Sequence, residues 1–213
     1  MKTIFIAACG AILLACNNNS DHTNHGEPDT NHSTSDRHTN KDKNEITASM
    51  DKMMHDMHAA KPGGNNDVDF ASMMIDHHKG AVEMSKIQLE KGSNEELKQF
   101  AQKVIDDQNK EITFMQNFIS QSKNTQSVNS AAFQKALQNS MAVMMSGHIK
   151  IYNDIDKDFA AQMIPHHQSA VDMANAYLKF GNDPGLKTLS QNIIDSQAKE
   201  IDWLQLWLNN NGG

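Results

Sequence analysis

The stretch Asp69-Phe70-Ala71-Ser72-Met73-Met74-Ile75-Asp76-His77-His78 recurs as Asp158-Phe159-Ala160-Ala161-Gln162-Met163-Ile164-Pro165-His166-His167, and this recurrence decides the fold. Residues 69–119 align without a gap on residues 158–208, with 22 identities over 51 positions at an offset of 89. Both copies continue through Ala81-Val82-Glu83-Met84 or Ala170-Val171-Asp172-Met173. Both then break at a glycine, Gly92 or Gly181, and resume in a segment containing Lys-Glu-Ile. A repeat of this length is one supersecondary unit used twice.

Each unit reads as a helical hairpin. Phe70, Met74, His77, Ala81 and Met84 fall at spacings of 4, 3, 4 and 3, with Ala71, Ile75, His78 and Val82 in a stripe beside them, so a broad face is buried. After Gly92, with Ser93 or Asn94 as the start signal, Leu97, Ala101, Val104, Gln108, Glu111, Met115 and Phe118 repeat the spacing. Helices of roughly 24 to 28 residues, on the order of 36 to 42 Å long, suit a four-helix bundle. A shorter Met-rich helix precedes each hairpin: Met50, Met53, Met54 and Met57 in the first half, matched by Met141, Met144, Met145 and His148 in the second. The sequence therefore predicts an all-α domain over residues 45–213, with halves at about 46–120 and 130–210. Pro165 interrupts the backbone bonding of its helix and predicts a kink before His166.

Ahead of this domain, Lys2 and the apolar run 3–14 lead into Leu13-Leu14-Ala15-Cys16, which resembles a bacterial lipobox. The resemblance implies that residues 1–15 are a signal peptide, that Cys16 is lipidated, and that the protein is anchored in the envelope, in the periplasm or at the outer membrane. Cys9 leaves with the signal peptide, so the mature chain has no free thiol or disulfide. Residues 16–44, rich in Asn, Ser, Thr, Asp and His, read as a disordered tether. Its histidines, His22, His25, His32 and His38, make either a weak metal-capture tract or a solvated linker. A net charge of -7 without a Lys or Arg cluster excludes nucleic acid as partner and suits a cationic one. The sequence points to no particular protein partner.

The candidate chemistry lies on the paired histidines. Adjacent helical residues point about 100 degrees apart, whereas Met74 lies three and four residues before His77 and His78 and reaches either. The chelate is therefore Met74 with His77 or His78, and Met163 with His166 or His167. Met84 and Met173 follow on the same faces. Equal steps outward from Gly92 bring Gln108 and Glu111 to the level of the first pair, and Gln197 and Glu200 repeat them in the second half. The two carboxylates are either orienting partners of the imidazoles or ligands. Met53, Met57, Met144 and His148, with His55 and His58, are secondary metal candidates. The competing reading makes the histidines satisfied core residues and the methionines gap fillers. Thioether sulfur favours Cu(I), and imidazole also accepts Cu(II), Zn and other transition metals. Glu-x-x-His pairs for a di-iron centre are missing from the long helices. If the two His-His helices run antiparallel, each pair three or four residues from its helix midpoint, the pairs stand roughly 10 Å apart along the axis and form two sites. The alternative is one shared site from Met74, His77, Met163 and His166.

The doubled Asp-Phe-Ala-x-x-Met-Ile-x-His-His-x-x-Ala-Val-x-Met string resembles the bacterial family of domains of unknown function numbered 305. Met163-Ile164-Pro165-His166-His167-Gln168 follows the family string, while Asp76 stands where Pro is usual. The resemblance covers roughly residues 46–210 and implies a ferritin-like bundle, an envelope location and copper handling. The leading functional expectation is copper capture, storage or delivery without catalysis. A metal-dependent oxidoreductase and a metal-free helical interaction domain are the alternatives. No nucleophile, base and orienter can be assembled as a set from the residues above.

Overall fold

The computed structural model of the chain describes residues 44–123, 125–145 and 149–213. Cys16, the signal peptide, the tether up to residue 43 and His148 lie outside the described residues. Six helices are present among those described: α1 Glu45–Ala59, α2 Asn66–Lys91, α3 Glu95–Gln121, α4 Ser130–Ser140, α5 Ile155–Phe180 and α6 Pro184–Asn210. None is long and apolar enough to cross a membrane.

Local chemistry sets most of the helix starts. Asn44, Asn65, Asn94, Asp154 and Asp183 each turn a side-chain oxygen onto a backbone N–H of the first helical turn. An Asx cap of this kind contributes about 1 kcal/mol. Gly92 and Gly181 end α2 and α5 in extended backbone, φ -67 and -82, so neither glycine serves a left-handed turn. Close approach explains them: a Cβ on Gly92 would lie 2.2 Å from Gln88 Nε2, and one on Gly181 would lie 2.2 Å from the Tyr177 ring.

α2 and α5 form the centre of the bundle, with α3 packed on α2 and α6 on α5. α1 lies along α2 and α5, and α4 packs on α5. The central pair is antiparallel, because the amide of Asn66 at the start of α2 donates to the Phe180 carbonyl at the end of α5 over 3.0 Å. Two matching clamps hold this register. Asp67 accepts from Tyr177 Oη at 2.6 Å and from Asn182 N at 2.8 Å. Asp156, its counterpart 89 residues later, accepts from Gln88 Nε2 at 2.6 Å and from Ser93 and Asn94 N. Each clamp ties the start of one half to the hairpin turn of the other, so the halves are related by an approximate two-fold axis.

The motif aspartates Asp69 and Asp158 fasten the short helices. Asp69 accepts from Gly63 N, Gly64 N and Gln134 of α4, while Asp158 accepts from Tyr152 N, Asp154 N and the side chain of Asn44 at the head of α1. α1 carries its methionines as expected, with Met50, Met53 and Met57 buried. The second half differs. α4 ends at Ser140, and Met141, Met144 and Met145 lie in the turns that follow, where backbone bonds run from residue i to i−3. That tighter pattern uses up the helix end before the methionines are reached, so α4 itself is not Met-rich. Met141 and Met144 are buried all the same, and Met145 is exposed. α5 is continuous across Pro165. The core is built mainly from Met, Leu, Ile, Ala and Phe, with Phe70 stacked on Tyr177 and Phe100 on Trp203.

Candidate metal centre

His77, His78, His166 and His167 are all fully buried in the middle of the central helix pair. Their separation corrects the offset of roughly 10 Å between the pairs. The rings of His77 and His166 touch, tilted by 39° with centroids 3.8 Å apart, and the outer rings His78 and His167 follow at 6.2 and 6.0 Å from their neighbours. The reason is helix length. α2 begins at Asn66 and α5 at Ile155, so the midpoints fall beside His78 and His167, and antiparallel packing brings midpoint to midpoint. Each inner histidine thus meets its own repeat copy near the two-fold axis.

Carboxylates close both ends of this row of imidazoles. His78 Nε2 lies 2.6 Å from Glu111 Oε2 on α3, and His167 Nε2 lies 3.0 Å from Glu200 Oε2 on α6. Glu111 and Glu200 therefore stand beside the histidines, in the orienting position the sequence allowed for them. The His167 contact is within ion-pair distance, but its direction makes a poor hydrogen bond. Further inward, His166 Nε2 lies 3.0 Å from the backbone carbonyl of His77. Because carboxylate and carbonyl oxygens only accept, Nε2 carries the proton in His78 and His166, and Nδ1 is left with a free lone pair. At His167 neither ring nitrogen makes a hydrogen bond, and the nearby Glu200 carboxylate only favours a proton on Nε2.

Those lone pairs find no partner. Nδ1 of His78, His166 and His167 and both ring nitrogens of His77 are buried without a hydrogen bond among the described residues. Burial and the neighbouring imidazoles hold the pKa of His77 well below 6.5, and burial followed by His167 does the same for His166. Both are therefore neutral at neutral pH, the form that binds metals. Burial works against the charge on Glu200, but His167 and Lys103 overcome it and keep the carboxyl below its ordinary value.

A deprotonated Nδ1 whose Nε2–H is held by a carboxylate or carbonyl is the arrangement that orients metal-binding histidines. Here it occurs in a core rich in thioethers. Met74 and Met163, one turn before the inner histidines, are fully buried. Met84 and Met173 are equally buried and lie two turns beyond His77 and His166, about 10 Å along their own helices. Among the secondary candidates, Met53 packs on α2, its Sδ 2.4 Å from where a Cβ on Gly80 would be, one turn after His77. Met57 and Met144 are buried core residues, while His55 and His58 are exposed on α1. No three His, Cys, Asp or Glu side chains among the described residues converge on one point.

Sequence reasoning missed two participants. The His77 carbonyl is a backbone group with no sequence signal. Lys103, whose Nζ lies 2.7 Å from Glu200 Oε1, could have been noticed, since the repeat places Asn192 at the matching position.

The chain matches the family described as a domain of unknown function (DUF305) over residues 17–119 and again over residues 67–208. No curated protein matches it. Among solved structures it is similar to CopM in the Cu(I)-bound form, at 31% identity and a TM-score of 0.53 over 69% of this chain and 98% of CopM. CopM in the Ag-bound form obtained by soaking matches at 31% identity with a TM-score of 0.54, over 69% of this chain and 97% of CopM. The apo form of CopM matches at 31% identity and 0.54, over 69% and 98%. With the repeat, the helical architecture and the family match in agreement, the chain belongs to the DUF305 family.

Proposed function

We propose that this protein binds copper, preferentially Cu(I), and captures, stores or passes it in the bacterial envelope without catalytic turnover. The observation that carries the reading is the buried row of four imidazoles with unpartnered ring nitrogens inside a thioether-rich core. Leaving a buried polar group unsatisfied costs about 1–3 kcal/mol, so such a row is retained for a ligand rather than for stability. Imidazole with thioether selects a soft ion, and neutral histidines accept it without first losing a proton. His77, His78, His166 and His167, with Met74 and Met163, would hold the ion. Glu111 and Glu200 would orient the outer imidazoles. The Cu(I)-bound and Ag-bound states of CopM support the same ion class.

Anchoring at Cys16 belongs to the same proposal and rests on the lipobox. Labelled fatty acid should enter the wild-type protein in cells and not a Cys16→Ser variant. For the metal, the test is anaerobic Cu(I) titration against a chromophoric competitor, with bound copper counted per chain. Tight stoichiometric binding, lost when all four histidines are replaced by Ala in a protein that remains helical, is the expected result. Stoichiometric binding unaffected by those replacements would make the histidines structural. Oxidase or reductase turnover by the copper-loaded protein would favour an enzyme instead.

A further inference from the structure

The histidines are sealed from solvent, which raises the question of how a cation reaches them. Of the six side chains in the row only the terminal carboxylates are accessible, Glu111 at 19% and Glu200 at 15% of their side-chain surface. Both open into the same groove of about 240 Å³ between α3 and α6. Gln108 and Gln197, repeat copies of one another, line that groove and are about 96% buried, and the Oε1 atom of each lacks a hydrogen-bond partner. Two carboxylates opening into one groove attract a cation, and the two buried amide oxygens beside them have no partner of their own.

The two ends of the groove are unequal. Lys103 Nζ reaches from α3 to Glu200 on α6, at 2.7 Å, and also contacts Asp107 at 3.1 Å. The copy of Lys103 is Asn192, which lines the same groove and carries no charge. Glu111 therefore has no built-in ammonium across the groove from α6. Lys110, the other cation of the lining, is paired with Asp107 at 2.9 Å.

We propose that the α3–α6 groove is the portal through which a soft monovalent cation enters and that Lys103 latches its Glu200 end, so that the His78 end is occupied before the His167 end. An incoming cation at Glu111 meets a carboxylate that no ammonium of the described residues occupies, with the His78 ring directly behind it. At Glu200 it must first displace a tethered ammonium. The inference rests on the copper-binding reading and adds to it an entry face and an order of filling.

The test is stepwise titration of the full domain with Ag(I) and, anaerobically, with Cu(I), following the imidazole NMR signals of His78 and His167 separately. In the wild type the His78 signals should respond first. Lys103→Asn should abolish the order and tighten binding at the His167 end roughly tenfold, equivalent to about 1.4 kcal/mol. Lys103→Arg, which keeps the charge, should preserve the order, and Asn192→Lys should delay the His78 end. Response of His167 first, or an order unchanged in Lys103→Asn, overturns this inference while leaving metal binding intact. No binding of either ion by the wild type overturns the copper-binding reading and this inference together.

Discussion

Replacing His77 with Leu should make the metal-free protein more stable. Both ring nitrogens of His77 are buried without partners, and its carbonyl, not its ring, receives the His166 hydrogen bond. A leucine of similar bulk removes an unsatisfied polar group whose burial costs about 1–3 kcal/mol. In a domain of this size each kcal/mol shifts Tm by about 2–4 °C, so a rise of roughly 2–12 °C is expected. His166→Leu should gain less, because it also discards the bond to the His77 carbonyl. The acid limb sharpens the distinction. The folded pKa values of His77 and His166 are depressed, so the unfolded chain binds protons below pH 6.5 that the native state refuses. Their contribution is whole above pH 6.5 and is lost as the pH falls toward the folded values. Each such group costs about 1.4 kcal/mol per pH unit over that window. His77→Leu should halve this two-histidine contribution to the slope. Urea unfolding of apo protein at pH 7 and pH 5.5, with a chelator present, measures both effects. A loss of more than about 1 kcal/mol at pH 7 would refute the argument, since it would mean that the imidazole is a satisfied structural group.

Three further outcomes follow from the same geometry. Gly80→Ala should cost about 1–2 kcal/mol net despite better helix propensity, because the new Cβ meets Met53 Sδ, Cγ and Cβ, and limited proteolysis should show α1 loosening first. Asp156→Ala strands Gln88, Ser93 and Asn94 donors and should cost about 2–4 kcal/mol in urea unfolding, whereas an exposed ion-pair change such as Lys52→Ala should stay within about 0.5 kcal/mol. For metal binding, the His77→Ala and His166→Ala losses should be non-additive by about 0.5–3 kcal/mol because the rings touch, while His78→Ala and His167→Ala, at opposite ends of the row, should add within about 0.5 kcal/mol in competitor titrations.

Much of the fold is written in local features. Asn94 and Gly92 mark a helix start and stop by short-range chemistry, and the apolar stripes through Phe70 and Leu97 repeat closely enough to reveal both hairpins. The hairpin ruler from Gly92 also placed Glu111 at the level of the first histidines, and it contacts His78. The spacing between the two histidine pairs was not legible, because it depends on how α2 registers against α5, two segments that share no turn. That register is fixed by Asp67 and Asp156, which lie upstream of the repeated motif and act on the hairpin turn of the opposite half. Placing each pair three or four residues from its helix midpoint separated rings that in fact lie 3.8 Å apart. The end of α4 was hidden for a similar reason. Met141 and Met144 keep a helical spacing and a buried environment, yet the backbone around them has already tightened into turns.

The register clamps explain how the bundle tolerates an unsatisfied centre. Moving α2 by one residue against α5 would shift it about 1.5 Å and turn each contact by about 100 degrees, which separates His77 from His166. It would also pull Asp67 away from Tyr177 and Asp156 from Gln88, leaving buried or partly buried polar groups unmatched at both ends. Burial and the adjacent Asp67 carboxylate already hold the Tyr177 hydroxyl protonated, so its hydrogen bond to Asp67 has a fixed donor. Well-satisfied polar contacts thus sit at the two ends of the central pair, and poorly satisfied ones at its middle. A ligand that pairs the central nitrogens satisfies the buried polar atoms of the histidine row. Binding there should stiffen the middle of α2 and α5 without moving their ends, so the copper-binding reading requires hydrogen-exchange protection to rise around residues 74–81 and 163–170 on Cu(I) addition while the clamped turns at 92–94 and 181–183 stay unchanged.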